Sequence, residues 1–251
     1  MKERTEKKEP LIQVRNVFKS YGTKVVHQGI SLDIYEGEIL TLMGGSGSGK
    51  SVLLRSLVGL DKPDKGQILY RGQDIASLNE EQLVEVRKKI AYVFQYGALF
   101  DSFTVADNLA YPLREHTDMT EKEIAEKVKA TLGKLGLDGS QQLYPSDLSG
   151  GMQRRVGVAR AIIMDPEVIL YDEPTTGLDP YNTKQILKII LQLQEQGATS
   201  VLVTHDMQSI FEVTDRVAFL RDGKIRALGT ATEIEHTEDT LLKGFIRGET
   251  M

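Results

Sequence analysis

Leu11-Ile12-Gln13-Val14-Arg15-Asn16-Val17 alternates apolar and polar positions, and Ile30-Ser31-Leu32-Asp33-Ile34 does so again. Period-two alternation predicts strands with one face buried, and Tyr21-Gly22 between them marks a turn. Glu38 to Met43 is nearly continuous in apolar residues, as a strand covered on both faces would be. Ser51 through Leu60 predicts a helix, Asp61-Lys62-Pro63-Asp64-Lys65-Gly66 a turn, and Gln67 to Tyr70 a short strand. Leu78 to Lys89 reads as a polar helix and Ile90 to Phe94 as a buried strand. From Val105 to Leu137 the period becomes helical, with Ile124, Val128, Leu132 and Leu135 on one face and Glu121, Lys122, Glu126, Lys127 and Lys129 on the solvated side. After Tyr144-Pro145-Ser146-Asp147-Leu148 the strand and helix patterns alternate again. Strands are expected at Val168–Tyr171, Ser200–Thr204 and Val217–Leu220, a helix at Tyr181–Glu195, and one or two short helices after Thr230. Such β/α alternation predicts an α/β fold with a parallel sheet covered on both faces. The early alternating strands predict a small antiparallel layer beside it.

Composition narrows the function without naming it. The 251 residues can bury a full core, and their formal charge of −5 argues against an electrostatic grip on nucleic acid. With no cysteine there is no disulfide, zinc-thiolate site or thiol nucleophile. No apolar run is long enough to span a bilayer. The mixed-charge start, Met1 to Pro10, lacks the apolar centre of a secretory signal and is expected to be a solvated leader. A cytoplasmic protein is expected, reaching a membrane through partners.

The chemistry begins at Gly44-Gly45-Ser46-Gly47-Ser48-Gly49-Lys50-Ser51, the G-x-x-x-x-G-K-S pattern of a phosphate-cradling P-loop, delivered by a strand to a helix start. Lys50 is placed to reach β- and γ-phosphates of a nucleoside triphosphate and Ser51 to ligate Mg2+. Val52 opens the following helix. At the end of Val168–Tyr171, Asp172 and Glu173 put two carboxylates where ligands of open α/β sheets bind. Asp172 is placed to hold Mg2+ through its water shell, and Glu173 to orient or deprotonate the attacking water. A second glycine-rich helix start follows Leu148, where Ser149 is a good cap before Gly150 and Gly151.

With Leu148 to Gln153 in hand, the chain resembles the ATP-binding subunits of ABC transporters, whose signature motif these residues match. The resemblance covers nearly the whole chain. It implies a P-loop NTPase fold with a parallel RecA-like sheet, an antiparallel β subdomain and an inserted α-helical subdomain. The implied bounds are a leader over 1–10, an ATPase domain over 11–229 with its helical part over about 96–160, and a tail over 230–251. It implies a head-to-tail dimer in which Ser149, Gly150 and Gly151 of one copy close over ATP held by the other copy's P-loop. It also implies that Tyr21 stacks on adenine, that Gln95 touches Mg2+ and the attacking water, that Asp179 meets the opposite subunit, and that His205 contacts the γ-phosphate.

Apolar Tyr96, Ala98, Leu99, Phe100 and Phe103 either pack the helical part onto the core or receive a short helix of a transmembrane permease subunit. The run from Gln95 to Val105, with Asn108 to Thr117, further resembles the ATPases of Mce-associated lipid transporters, including those maintaining outer-membrane lipid asymmetry. That implies phospholipid as cargo and an Mce-domain protein among the partners. Another ABC importer or exporter, for amino acids or lipoproteins, shares the chemistry. A soluble ABC protein acting on ribosomes or DNA usually has two cassettes or a long coiled-coil insertion, which this chain lacks. Leu241, Leu242 and Phe245 are left with two roles, embracing a neighbouring subunit or packing on their own core.

Overall fold

The computed structural model describes residues 9–249. Nearly all of the leader expected over residues 1–10 lies outside them. Strands β1 (Pro10–Tyr21) and β2 (Lys24–Tyr35) form a hairpin, with Tyr21 opposite Lys24 at its tip. Strands β4 (Lys65–Tyr70) and β5 (Gln73–Asp74) complete an antiparallel sheet in the order β2-β1-β4-β5. The inward members of the alternation, Ile12, Val14, Ile30, Leu32 and Ile34, are all buried.

The second sheet carries the site. Its order is β10-β9-β3-β8-β7-β6, with β3 (Ile39–Met43), β6 (Ile90–Val93), β7 (Val168–Asp172), β8 (Thr199–Val203), β9 (Arg216–Arg221) and β10 (Lys224–Thr230). The strands from β9 to β6 run parallel, and β10 pairs antiparallel with β9. Side chains of a strand alternate faces, so each apolar strand feeds two cores. Leu40, Leu42, Leu170, Val201 and Val203 pack with the antiparallel layer, α1 (Lys50–Ser56) and α2 (Glu80–Lys89). Ile39, Ile169, Tyr171 and Leu202 pack with α3 (Val105–His116), α4 (Glu121–Lys134), α5 (Gly150–Ile162) and α6 (Pro180–Glu195). Burying each such side chain stabilises the fold by about 1.5–3 kcal/mol over leaving it in water, which explains the unbroken apolar runs.

Three local expectations are corrected. The helix after Lys50 ends at Ser56 instead of Leu60, where the Leu60 N–H turns back to the Arg55 carbonyl at 3.0 Å. The helical stretch from Val105 to Leu137 is two helices, because Thr117 leaves the helical conformation and Thr120 with Glu123 caps a new start. Strand β10 was not expected at all. None of its residues is fully buried, so the edge strand carries little apolar signal.

The last segment, α7 (Met207–Val213), α8 (Ala231–Glu235) and α9 (Thr240–Ile246), forms a third core with β9. Leu242 is fully buried there, and the Phe245 ring lies 5.1 Å from that of Phe219. Both residues therefore pack on the chain's own core, while Leu241 stays partly exposed. Among the described residues no helix is long and apolar enough to cross a membrane.

Candidate nucleotide site

Parallel register brings three strand ends to one rim: Leu42 pairs with Val203, and Asp172 with Val203. From that rim β3 delivers Gly44–Ser51, β7 delivers Asp172 and Glu173, and β8 delivers His205. Gly45, Ser46 and Gly47 are exposed, whereas Gly49 and Lys50 are buried. Gly49 sits at φ +98°, a conformation that L side chains rarely adopt, and a Cβ there would lie 2.8 Å from His27 Nε2. That buried histidine places Nε2 3.0 Å from the Gly49 carbonyl oxygen, so β2 forms the floor of the loop. Burial holds the His27 pKa below its ordinary value.

The Lys50 ammonium donates to the Gly44 and Gly45 carbonyls at 2.8 and 2.9 Å. Burial lowers its pKa, and the charges of Glu173 and Asp172 oppose that shift. An ammonium has three donors, so Lys50 can serve an anion while still anchored to the loop. Ser48 Oγ is buried without a hydrogen-bond partner, as suits a hydroxyl that meets a phosphate oxygen.

The Ser51 hydroxyl donates to Asp172 Oδ1 at 2.7 Å, and the Tyr92 hydroxyl donates to Asp172 Oδ2 at 2.7 Å. Burial, then the bond to Asp172, pushes the Tyr92 phenol well above its ordinary pKa, so it remains a donor. Glu173 adopts φ +47°, a strained conformation for a non-glycine residue and one that recurs at functional sites. Its Oε2 accepts from Thr176 Oγ1 at 2.9 Å and Gln95 Nε2 at 3.4 Å, with His205 Nδ1 at 3.5 Å. Gln95, Glu173 and His205 come from three separate strand ends and meet at one oxygen atom.

Among the described residues, the other expected ones make no side-chain hydrogen bond or ion pair with this cluster. Tyr21 is at the exposed β1–β2 turn with Lys19 Nζ 5.1 Å from its ring centre, and Val52 is half-buried on α1. Ser149 caps α5 by accepting from the Met152 N–H at 3.3 Å, and with Gly150 it is exposed. Gly151 is buried against Asn182, where any Cβ would run into the Asn182 amide. Asn182 in turn donates to Asp179 Oδ1 and Oδ2 at 2.9 and 2.6 Å, so Asp179 caps α6 and its carboxyl is held below the usual range. Among the described residues no hydrogen bond or ion pair joins Ser149–Gly151 to Gly44–Ser51.

Sequence reasoning missed four neighbours: His27, Tyr92, Thr176 and Arg154. Arg154 donates to the Thr176 carbonyl at 3.0 Å and stacks over the Tyr96 ring at 4.8 Å, tying α5 to the segment after Glu173. The available signal was modest: a tyrosine inside a buried strand needs a partner for its hydroxyl.

A phosphate loop on one strand, an acidic pair on a neighbouring strand and a polar ring around the second carboxylate define a P-loop nucleoside triphosphatase. Residues 27–176 match the ABC transporter family. The chain is 40% identical over 240 residues to the intermembrane phospholipid transport system ATP-binding protein MlaF of Haemophilus influenzae, covering 95% of this chain and 91% of that protein. It is 39% identical over 238 residues to the probable ribonucleotide transport ATP-binding protein mkl of Mycobacterium leprae, covering 94% and 69%. It also resembles the dimeric post-hydrolysis structure of the ATP-binding cassette MJ0796 bound to ADP and Pi, with a TM-score of 0.82 and 32% identity over 88% of this chain and 98% of that one. The chain belongs to the ABC transporter family and is one of its ATP-hydrolysing cassettes.

Proposed function

We propose that this cassette powers phospholipid movement between inner and outer membranes by hydrolysing ATP in two sites shared between two copies. The observation that carries the chemistry is the meeting of Gln95, His205 and Thr176 on Glu173 Oε2, beside Lys50, Ser51 and Asp172. Gly44 to Lys50 cradle the phosphates with backbone N–H groups and the Lys50 ammonium. Tyr21 stacks on the adenine.

Ser51 Oγ, an Asp172 oxygen and Gln95 suit Mg2+, which favours one or two carboxylates plus substrate phosphates over an all-protein cage. No cluster of three or more His, Cys, Asp or Glu is present among the described residues to provide such a cage. When bound, Mg2+ would neutralise charge developing on the phosphate oxygens. Glu173 takes the water's proton or fixes its orientation, and His205 holds the γ-phosphate side of the geometry.

A second copy supplies Ser149, Gly150, Gly151 and Asp179. The exposure of Ser149 and Gly150 on α5, away from their own phosphate loop, supports this, as does the dimeric state of the MJ0796 structures. A groove of about 630 Å³ lined by Tyr92, Phe94, Ala98, Phe100, Tyr111 and Arg160 is the seat for a short helix of a transmembrane permease subunit. Docking there places the cassette on the cytoplasmic face of the inner membrane. The MlaF likeness supports phospholipid as cargo and an Mce-domain protein as a further partner.

Purification of the assembled complex from detergent-solubilised membranes, with its proteins and bound lipids identified by mass spectrometry, tests this. A permease and an Mce-domain protein carrying phospholipid are expected. Recovery with a soluble amino-acid receptor, or of ribonucleotide as cargo, would contradict it.

A further inference from the structure

Among the described residues, Tyr92 is the one side chain that both lines the groove and hydrogen-bonds to the acidic pair. On β6 it pairs with Leu170 of β7. Leu170 and Asp172 share a face because they are two residues apart on a strand, so a long side chain at position 92 reaches Asp172 diagonally. The ring is accounted for by packing: it lies 4.6 Å from the Phe94 ring and against the core. Phenylalanine would pack equally well. What the hydroxyl adds is the 2.7 Å bond to Asp172 Oδ2.

That bond has a mechanical consequence. The terminal torsion of an aspartate is broad, and a carboxylate held by one oxygen alone can swing about it. Asp172 is held by both, Oδ1 from Ser51 Oγ and Oδ2 from Tyr92, each at 2.7 Å. Ser51 is itself a candidate cation ligand, so its grip on Oδ1 is shared with the cation. Tyr92 is the restraint that stays in place when a cation draws on Ser51 and Oδ1.

We propose that Tyr92 is a positioning residue for the divalent cation of the nucleotide site, orienting Asp172 through its hydroxyl. This rests on the reading of Asp172 as a cation-holding residue. Groups that orient a metal-holding side chain typically change metal affinity by about 10- to 100-fold when removed. The lower figure is expected here, because Ser51 still restrains the carboxylate.

The test uses the full chain with a non-hydrolysable ATP analogue and Mn2+ as the spectroscopic probe, its bound fraction read by electron paramagnetic resonance. Tyr92→Phe should weaken Mn2+ binding to the protein–nucleotide complex by about 10-fold. Nucleotide affinity in EDTA should match wild type, since the ring remains, and loss of the one hydrogen bond should lower the thermal midpoint by only about 2–6 °C. In turnover, the Mg2+ concentration for half-maximal rate should rise by a similar factor, with the KM for nucleotide at saturating Mg2+ unchanged. If Tyr92→Phe binds Mn2+ within about twofold of wild type while Asp172→Asn loses it, the role of Tyr92 is refuted and that of Asp172 stands. If Asp172→Asn itself keeps Mn2+, the underlying assignment of Asp172 fails, and the inference fails with it.

Discussion

Glu173→Gln is the sharpest probe of the chemistry, because it changes charge and basicity while preserving shape. In the wild-type chain Oε2 gathers Thr176 Oγ1 at 2.9 Å, Gln95 Nε2 at 3.4 Å and His205 Nδ1 at 3.5 Å. The amide retains one oxygen to receive these donors, so the loop keeps its shape. It retains no base. A positioned general base contributes about 10²–10⁴ in rate. At about 1.36 kcal/mol per tenfold, that is ~2.7–5.4 kcal/mol added to the barrier. ATP binding depends on Gly44–Ser51, which the substitution does not touch, and should stay within about threefold of wild type, or ~0.65 kcal/mol. Phosphate release under saturating ATP, alongside equilibrium binding of a fluorescent ATP analogue, separates the two effects. Turnover within about threefold of wild type would refute the role given to Glu173.

Two further substitutions probe the floor of the loop. Gly49→Ala forces φ +98° on a residue with a Cβ and brings that atom to 2.8 Å from His27 Nε2. Strain of this kind costs about 1–3 kcal/mol, and each kcal/mol lowers the midpoint by ~2–4 °C in a chain of this size. Calorimetry should show that drop together with lost ATP binding, and an unchanged midpoint would deny the contact. Burial keeps His27 below its ordinary pKa of 6.5, so the unfolded chain takes up a proton that the folded chain refuses. Stability is therefore expected to fall as pH drops below about 6.5, by ~1.4 kcal/mol for each unit of depression. His27→Leu should flatten that slope between about pH 7 and 5.5, as measured by denaturant melts. An equally steep slope in the variant would place the titration elsewhere.

The local sequence carried most of the chemistry because its parts are contiguous. The phosphate loop, the acidic strand end and the capped glycine helix start each occupy fewer than a dozen residues. Their convergence was legible only through the family resemblance, since Gln95, Glu173 and His205 meet across strand ends far apart in the chain. The contacts that escaped notice are long-range ones: His27 under Gly49, Tyr92 against Asp172, and Arg154 on the Thr176 carbonyl. Nothing in a single strand's pattern says which neighbour its polar tip will meet. Strand β10 escaped for the opposite reason, because its Lys224-Ile225-Arg226-Ala227-Leu228 alternation is half solvated and adds little to the core. The break between α3 and α4 was readable in Thr120-Glu121-Lys122-Glu123, a capping box inside an apparently continuous helix.

The central claim is that each catalytic site is built from two copies of the chain. Mixing two inactive variants tests it most directly. Glu173→Gln disables the site on its own phosphate loop, and Ser149→Arg disables the site on its partner's loop. Each homodimer then has no working site, whereas a mixed dimer keeps one, formed by the intact Glu173 of one copy and the intact Ser149 of the other. With random pairing, ATP hydrolysis in an equimolar mixture should rise from near zero to about a quarter of the wild-type rate. A mixture that stays as inactive as its parents, or a Ser149→Arg homodimer that turns over normally, would contradict the shared site.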